Sequence, residues 1–187
     1  NLLDVYNEKL VVAGKMIFEF RKSFLDKFIP IFKSIYKQIF DGTEEISIIY
    51  DSDLLTKDFE QLIAESQEQD RSAQRTTKGT HLDDLIFELN NFPVKKIGSQ
   101  GQQKTFLLSL KLAQYELLKS EKQMKPLLLL DDIFDKLDAD RIAKIFQLIN
   151  SDHFGQVFIT DTDEITIKAL ITDNQITNYK IINLGSI

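Results

Sequence analysis

The N-terminal part of the chain carries an apolar stripe with the spacing of an α-helix. Its members recur at intervals of three or four positions: Ile17, Phe20, Phe24, Phe28, Ile31, Ile35 and Ile39. Pro30 lies within this stripe and lacks a backbone N–H, so the pattern predicts either a kinked helix or two helices that meet end to end. Asp41-Gly42 is expected to end the helical pattern.

The next segments predict the remainder of a helical arm over residues 1–75. Ile46–Tyr50 is rich in β-branched residues and predicts a short strand. A second amphipathic helix is predicted by the spacing of Leu55, Phe59, Leu62 and Ile63. The polar stretch Glu65–Thr77 contains no large apolar residue, and it is expected to be a domain boundary or a flexible loop.

Residues 76–187 show a different pattern, in which predicted strands alternate with predicted helices. Asn90-Asn91 follows an alternating segment and is expected to form a hairpin turn. The strands are expected at Leu85–Leu89, Leu127–Leu130, Val157–Thr160 and Tyr179–Leu184, and the helices at Phe106–Leu118, Ala139–Ile149 and Glu164–Leu170. This alternation predicts an α/β half-domain with a mostly parallel sheet.

Composition narrows the function classes. The net charge is −6, so any contact with nucleic acid must come from a local patch or from another part of the protein. The absence of cysteine excludes disulfides and thiolate zinc sites, and the two histidines, His81 and His153, are too far apart in sequence to suggest a metal site. No apolar run approaches the roughly 20 residues of a membrane span. We expect a cytoplasmic protein that does not enter a membrane.

Two adjacent carboxylates, Asp131 and Asp132, follow the apolar run Leu127–Leu130. Such a run suits a strand buried on both faces, and ligands of open α/β sheets bind beyond the carboxyl ends of their strands. One carboxylate there can hold Mg²⁺ and the other can orient or deprotonate an attacking water. The alternative is a core strand that ends in two solvated acids.

A polar segment, Ser99-Gln100-Gly101-Gln102-Gln103-Lys104, precedes the predicted helix Phe106–Leu118. Backbone N–H groups at a helix start attract anions, and a glycine allows a phosphate to approach the backbone. However, Ser99 and Gln102 also have the spacing of a capping box, which by itself explains both residues. Taken alone, the capping box is the favoured interpretation.

Two further segments have both a functional and a structural interpretation. Asp138 lies a few residues after the acid pair and is placed to cap the next helix. The strand Val157–Thr160 ends in the polar pair Thr160-Asp161, which is also an ordinary exit from a strand.

Together, and in this order, these segments resemble the second half of an ABC-type P-loop ATPase, and more narrowly the RecF family. The family pattern matches Gly79-Thr80-His81-Leu82-Asp83-Asp84-Leu85, then Ser99–Gln103, then Leu127–Asp132. Lys111-Leu112-Ala113 and Gln156–Thr160 also match, so the specific resemblance covers about Gly79–Asp163. The first part matches the RecF arm only in its layout of a long helix pair and a strand.

The resemblance implies a role for each matching residue. Ser99, Gln100, Gly101 and Gln102 would form the signature that contacts ATP held by the other protomer of a dimer. Asp131 would hold Mg²⁺, in the usual case through water, and Asp132 would position the hydrolytic water. Asp138 would lie in the D-loop at the dimer seam, and Thr160 and Asp161 would occupy the switch position. The sequence departs from the pattern at Leu82, where the family has a basic residue, at Asp132, where most ABC ATPases have Glu, and at Thr160-Asp161, where many have His.

The resemblance further implies an ATP-dependent homodimer that binds gapped DNA, cooperates with RecR and RecO, and helps to load a recombinase during repair. The chain contains no G-x-x-x-x-G-K-[ST] segment, so we expect it to be the C-terminal half of such a protein and to be unable to bind or hydrolyse ATP alone. The alternative is a non-catalytic assembly or dimerisation module derived from an ABC-type ATPase.

Overall fold

The computed structural model describes residues 2–40, 42–151 and 153–186. The chain forms two compact units. The first comprises Asn1–Lys33 and Thr43–Gly98, and the second comprises Ser34–Gly42 and Ser99–Ile187. The expected division between residues 75 and 76 falls inside the first unit.

One continuous helix, α1, spans Leu2–Ile39 and includes Pro30. The alternative of two helices that meet end to end is therefore wrong. Buried apolar residues lie on both sides of the proline, among them Phe28 before it and Phe32 and Ile35 after it. Their burial holds the backbone helical through a position that lacks one hydrogen-bond donor. None of the described helices, α1 included, combines the length and the apolar character that a membrane span requires.

The first unit contains an antiparallel sheet of three strands, β1 (Ile46–Asp51), β2 (Asp84–Leu89) and β3 (Phe92–Pro93), in that order. β1 and β2 pair along their whole length, from Ile46 opposite Leu89 to Asp51 opposite Asp84. Asn90 and Asn91 both have positive φ angles, of 50° and 64°, as a two-residue hairpin turn requires. Both strands and the turn that the sequence predicts are confirmed.

The second helix of this unit, α2, spans Phe59–Ala73 and continues through most of the stretch expected to be a loop. That expectation is wrong up to Ala73. The stretch is polar but rich in strong helix formers, and its side chains pair along the helix. Gln61 donates to Glu65 at 2.7 Å, and Ser66 donates to Asp70 at 3.1 Å. Leu55, which the pattern assigned to this helix, lies instead in a short 3₁₀ turn, Asp53–Leu55.

Asp83, within the segment Gly79–Leu85, is a buried carboxylate that forms an ion pair with the partly exposed Arg21. Its side chain is only 3% exposed, and its Oδ2 accepts a hydrogen bond from Arg21 at 2.7 Å and another from the Tyr50 hydroxyl. Arg21 also donates to the Thr80 carbonyl oxygen at 2.6 Å. Burial and the adjacent Asp83 carboxylate raise the pKa of the Tyr50 phenol. This part of the family-like segment therefore stabilises the first unit, whereas Leu82 is exposed.

The second unit contains a parallel pair of strands, β4 (Leu128–Asp131) and β5 (Val157–Thr160). The helix α5 (Ala139–Ile149) connects them, as the sequence predicts. Two other helices, α4 (Gln100–Lys122) and α6 (Glu164–Asp173), include the helices expected at Phe106–Leu118 and Glu164–Leu170. A helical turn, α3 (Val94–Ile97), ends the first unit. The α/β class with a parallel sheet and flanking helices is confirmed.

The strand expected at Tyr179–Leu184 is not formed. These residues belong to no ladder, and Leu184–Ser186 form a 3₁₀ turn. Tyr179, Ile182 and Leu184 are exposed. Among the described residues, the parallel sheet has only β4 and β5, and this segment pairs with neither of them. An apolar β-branched segment becomes a strand only where a partner supplies the hydrogen bonds.

Gly14, on α1, makes a close contact with the aromatic ring of Phe59, the first residue of α2. A Cβ atom at position 14 would lie 2.1 Å from Phe59 Cε1, and Phe59 is only 1% exposed. Gly14→Ala should therefore destabilise the protein by about 1–2 kcal/mol, because the overpacking outweighs the higher helix propensity of alanine. Urea unfolding measures the difference. In a Phe59→Leu background the same substitution should cost less, and an equal cost in both backgrounds would contradict the proposed contact.

Candidate nucleotide site

The carboxyl end of β4 places Asp131 directly beside the end of β5. Asp131 is paired with Thr160 in the parallel ladder, and the Thr160 hydroxyl donates a hydrogen bond to Asp131 Oδ1. Asp131 is exposed. Thr160 therefore fixes the orientation of a carboxylate that remains accessible to a ligand. This is the juxtaposition expected for Asp131 and the switch-position threonine at one edge of the sheet.

Asp132 directly follows β4 and has a left-handed backbone conformation, with a φ of 47°. Its N–H donates to the Thr160 carbonyl and to the Thr160 hydroxyl, each at 3.2 Å. Its carbonyl accepts a hydrogen bond from Lys104 Nζ at 2.5 Å. Few residues other than glycine adopt this conformation, and such residues cluster at functional sites. The backbone of Asp132 is thus held from two sides while its side chain is exposed.

Ser99 caps the first turn of α4 through a complete capping box. Ser99 Oγ accepts a hydrogen bond from the Gln102 N–H at 3.2 Å, and Gln102 Oε1 accepts one from the Ser99 N–H at 2.7 Å. The structural interpretation of this pair is confirmed. Ser99 and Gln100 are nevertheless exposed at the N-terminus of a long helix, where an anion is favoured. A phosphate-binding role stays a prediction.

Gly101 lies where the β4–α5 loop, Asp132–Asp138, approaches the first turn of α4. A Cβ atom at Gly101 would lie 2.9 Å from the carbonyl oxygen of Lys136. Lys136 itself has a φ of 64°. Glycine is therefore required at position 101 by packing within the protein, whatever its relation to a phosphate. The close approach places the signature-like turn against the loop that begins at Asp132.

Asp138 caps α5, as the structural interpretation of the sequence predicts. Asp138 Oδ1 accepts a hydrogen bond from the Arg141 N–H at 2.9 Å, and its Oδ2 forms an ion pair with Arg141 Nε at 3.1 Å. The cap fixes the end of the β4–α5 loop. A role for Asp138 at a dimer seam stays a prediction.

Asp161 shapes the turn that leads from β5 into α6. Its Oδ1 accepts a hydrogen bond from the Asp163 N–H at 2.7 Å. Asp163 in turn caps α6 by accepting from the Ile165 N–H at 3.0 Å and from the Thr166 hydroxyl at 2.6 Å. The Thr166 hydrogen bonds hold the pKa of Asp163 below its usual value. The cap was not predicted, although Asp163 followed by a helical apolar pattern was a sufficient signal.

The residues proposed from the sequence form two neighbouring groups within the second unit. Asp131, Asp132 and Thr160 meet at the end of the parallel strands. The first turn of α4 contacts the β4–α5 loop through Lys104 and Gly101. Lys104 lay within the quoted segment but was given no role, and Arg141 was missed altogether. Among the described residues, no cluster of three or more acidic or histidine side chains forms a ready metal site.

Comparison with known proteins gives one consistent result. Residues 12–160 match the family model described as "AAA domain, putative AbiEii toxin, Type IV TA system". The chain is 50% identical to the DNA replication and repair protein RecF of Flavobacterium johnsoniae, over 97% of the chain and 50% of that protein. It is 46% identical to RecF of Bacteroides thetaiotaomicron, over 85% of the chain and 43% of that protein. The chain thus spans about half the length of the curated relatives it matches.

Solved structures agree with these relatives. The chain is similar to a structure described as the recombination mediator protein RecF-ATP in the RecFOR pathway, with a TM-score of 0.72 and 28% sequence identity. That similarity covers 88% of this chain and 46% of the other. A second RecF structure, described as RecF-ATPrS, gives a TM-score of 0.70 at 28% identity, over 87% of this chain and 46% of that one.

Substitution of Ser99 tests whether its cap stabilises α4. Ser99→Ala removes the acceptor for the Gln102 N–H and should cost about 1 kcal/mol of stability. Ser99→Asn retains a good N-cap, so its free energy of unfolding should be about that of the unchanged protein. Thermal or urea unfolding of the three proteins tests this. Equal destabilisation by Ala and Asn would show that the cap does not stabilise α4.

Proposed function

Because this chain belongs to the AAA-domain family and is RecF-like over nearly its whole length, we propose that it is the C-terminal half of an ATP-dependent DNA clamp that acts in recombinational repair. The observation that carries this proposal is the position of Asp131 and Asp132 at the carboxyl end of β4, beside the capped first turn of α4. The end of a parallel strand is where α/β sheets bind nucleotides. Similarity to RecF structures described with ATP supports the same ligand.

We assign the two carboxylates different roles. Asp131 is exposed and oriented by Thr160, so it would hold Mg²⁺, directly or through water. Asp132 would position the hydrolytic water and accept its proton. An aspartate reaches less far than the glutamate that most ABC-type ATPases use, so hydrolysis would be slow. Slow turnover suits a clamp that must stay closed on DNA before release.

The first turn of α4 is proposed to act on a nucleotide held by a second protomer. Ser99, Gln100, Gly101 and Gln102 would offer helix N–H groups and polar side chains to the γ-phosphate. Asp138 would lie at the seam between the protomers as part of the D-loop. Thr160 and Asp161 would occupy the switch position, and the hydrogen bond from Thr160 to Asp131 supports an indirect action of Thr160 on the phosphate through that carboxylate.

The proposed partners follow from the RecF similarity and from charge. The intact protein would bind gapped DNA at a junction of single and double strands, act with RecR and RecO, form an ATP-dependent homodimer and work in the cytoplasm. The relatives are described as DNA replication and repair proteins, and the RecF structures as parts of the RecFOR pathway. With a net charge of −6, this chain would contact DNA only through local basic groups such as the exposed Lys95 and Lys96.

Substitution of Asp132 tests the catalytic assignment in the full-length protein. Asp132→Asn should lower the rate of ATP hydrolysis at least about a hundredfold, because an amide cannot accept the proton from the attacking water. Binding of ATP and ATP-dependent dimerisation should persist, and light scattering can follow the dimer. The matched control is Asp135→Asn, an exposed acid of the same loop that pairs with Lys136 at 3.5 Å. Equal loss in the two variants, or no loss in Asp132→Asn, would contradict the assignment.

The chain by itself should not bind ATP, because it contains no loop that can cradle the β- and γ-phosphates. Calorimetry with Mg-ATP at millimolar concentration should show no saturable binding. The first turn of α4 would contact only the far end of a nucleotide that another loop already holds. Saturable binding with a dissociation constant of about 10 μM, roughly −7 kcal/mol, would refute the proposal that a loop outside this chain holds the nucleotide.

A further inference from the structure

Three contacts hold the β4–α5 loop, Asp132–Asp138, against the first turns of α4. Lys104 Nζ donates to the Asp132 carbonyl at the start of the loop. The Lys136 carbonyl packs against Gly101, where a Cβ atom would lie only 2.9 Å away. At the end of the loop, Asp138 pairs with Arg141, which reaches α4 as well. The loop is thus attached at its start, middle and end.

The contact at the end of the loop passes through a buried hydroxyl. Thr105 has an exposed fraction of 0% and donates its only hydroxyl proton to the Gly101 carbonyl at 2.8 Å. The remaining lone pairs of the same oxygen accept a hydrogen bond from Arg141 NH1 at 3.1 Å. One hydroxyl therefore joins the peptide unit of Gly101 to the guanidinium of Arg141.

Arg141 makes two further contacts besides the one with Thr105. Its side chain is 15% exposed and its Nε pairs with Asp138 Oδ2 at 3.1 Å. Its guanidinium carbon lies 4.6 Å from the centre of the Phe40 ring, within the range of a cation–π interaction. A planar guanidinium can pair with Asp138 and donate a hydrogen bond to Thr105 at the same time, because its N–H donors point in fixed, different directions. The ammonium group of a lysine lacks this planar arrangement of donors.

We propose that Arg141 and Thr105 are positioning residues that couple the signature turn to the catalytic loop. This inference rests on the function proposed above, in which Gly101 serves a nucleotide of the second protomer and Asp132 serves a nucleotide of its own. Contact of a γ-phosphate with the signature turn would then be transmitted through Thr105 and Arg141 to the β4–α5 loop. The two ATP sites of a dimer would be coupled through this chain, and the coupling would be reciprocal for binding.

Thr105→Val in the full-length protein is the sharpest test, because valine keeps the shape and removes the hydroxyl. It should abolish the cooperativity of ATP hydrolysis and weaken the coupling of ATP binding between the two sites about tenfold, a typical size for such coupling, while the affinity of the monomer for ATP stays unchanged. Thr105→Ser keeps the hydroxyl and should restore both properties. The matched control is Ser109→Ala, which removes an equally buried hydroxyl that donates to the Thr105 carbonyl at 2.8 Å and makes no bridge to Arg141.

Arg141→Met should show the same loss of cooperativity in ATP hydrolysis. The double variant of Arg141→Met and Thr105→Val should lose no more than either single variant, because both substitutions interrupt the same connection. If Thr105→Val retained the same cooperativity of ATP hydrolysis as Ser109→Ala, the proposal would be overturned. A Thr105→Ser variant as impaired as Thr105→Val would also overturn it, because the effect would then come from packing rather than from the hydroxyl.

A second readout needs no nucleotide. Hydrogen exchange of the amides in Asp132–Asp138 should be faster in Thr105→Val than in Ser109→Ala. If the unchanged protein fails to dimerise or hydrolyse ATP but the exchange difference is present, the proposed function fails and the physical coupling of turn and loop stands. If the exchange rates of the two variants are equal, the coupling itself is refuted.

Discussion

The close approach of the β4–α5 loop to the first turn of α4 is the constraint on which the candidate site depends. Position 101 has no room for a side chain because the Lys136 carbonyl lies against it. The left-handed backbone at Asp132 and Lys136 lets the loop make this approach within a few residues. The proposed nucleotide-binding groups lie on the two surfaces that this contact joins or beside them at the carboxyl ends of β4 and β5. A change that separates the surfaces would displace several groups together, although none of them would itself be altered.

The sequence predicted those parts of the fold that depend on residues close together in the chain, such as caps and turns. The capping spacing of Ser99 and Gln102 and the paired asparagines of the hairpin appear in the structure as expected. The leucine strand before Asp131 also forms, but the expectation that both of its faces are buried is wrong, because Leu129 is exposed. The helix through Glu65–Ala73 was missed because polarity was given more weight than helix propensity. The strand expected at Tyr179–Leu184 was wrong because pairing depends on a neighbouring strand, which a segment's own pattern cannot reveal.

The candidate site was also predictable only where its residues are close together in the sequence. Its acids and its capped helix start are contiguous in sequence, so their types and spacing could be recognised. Arg141, Thr105 and Lys104 act through contacts with residues 28 to 36 positions away. No sequence periodicity reports such contacts. The ion pair of Asp83 and Arg21, 62 positions apart, shows the same limit in the first unit, where a family-like motif proved to stabilise the arm.

The ring of Phe59 has a consequence for how related sequences can change. A Cβ atom at Gly14 would lie 2.1 Å from this ring, and one at Gly79 would lie 2.7 Å from it. Gly79 has, in addition, a φ of +128° that disfavours any side chain. Positions 14 and 59 should therefore covary among relatives, with a larger residue at 14 tolerated only beside a smaller one at 59. Position 79 should stay glycine in either case, because its backbone requires glycine independently of the ring.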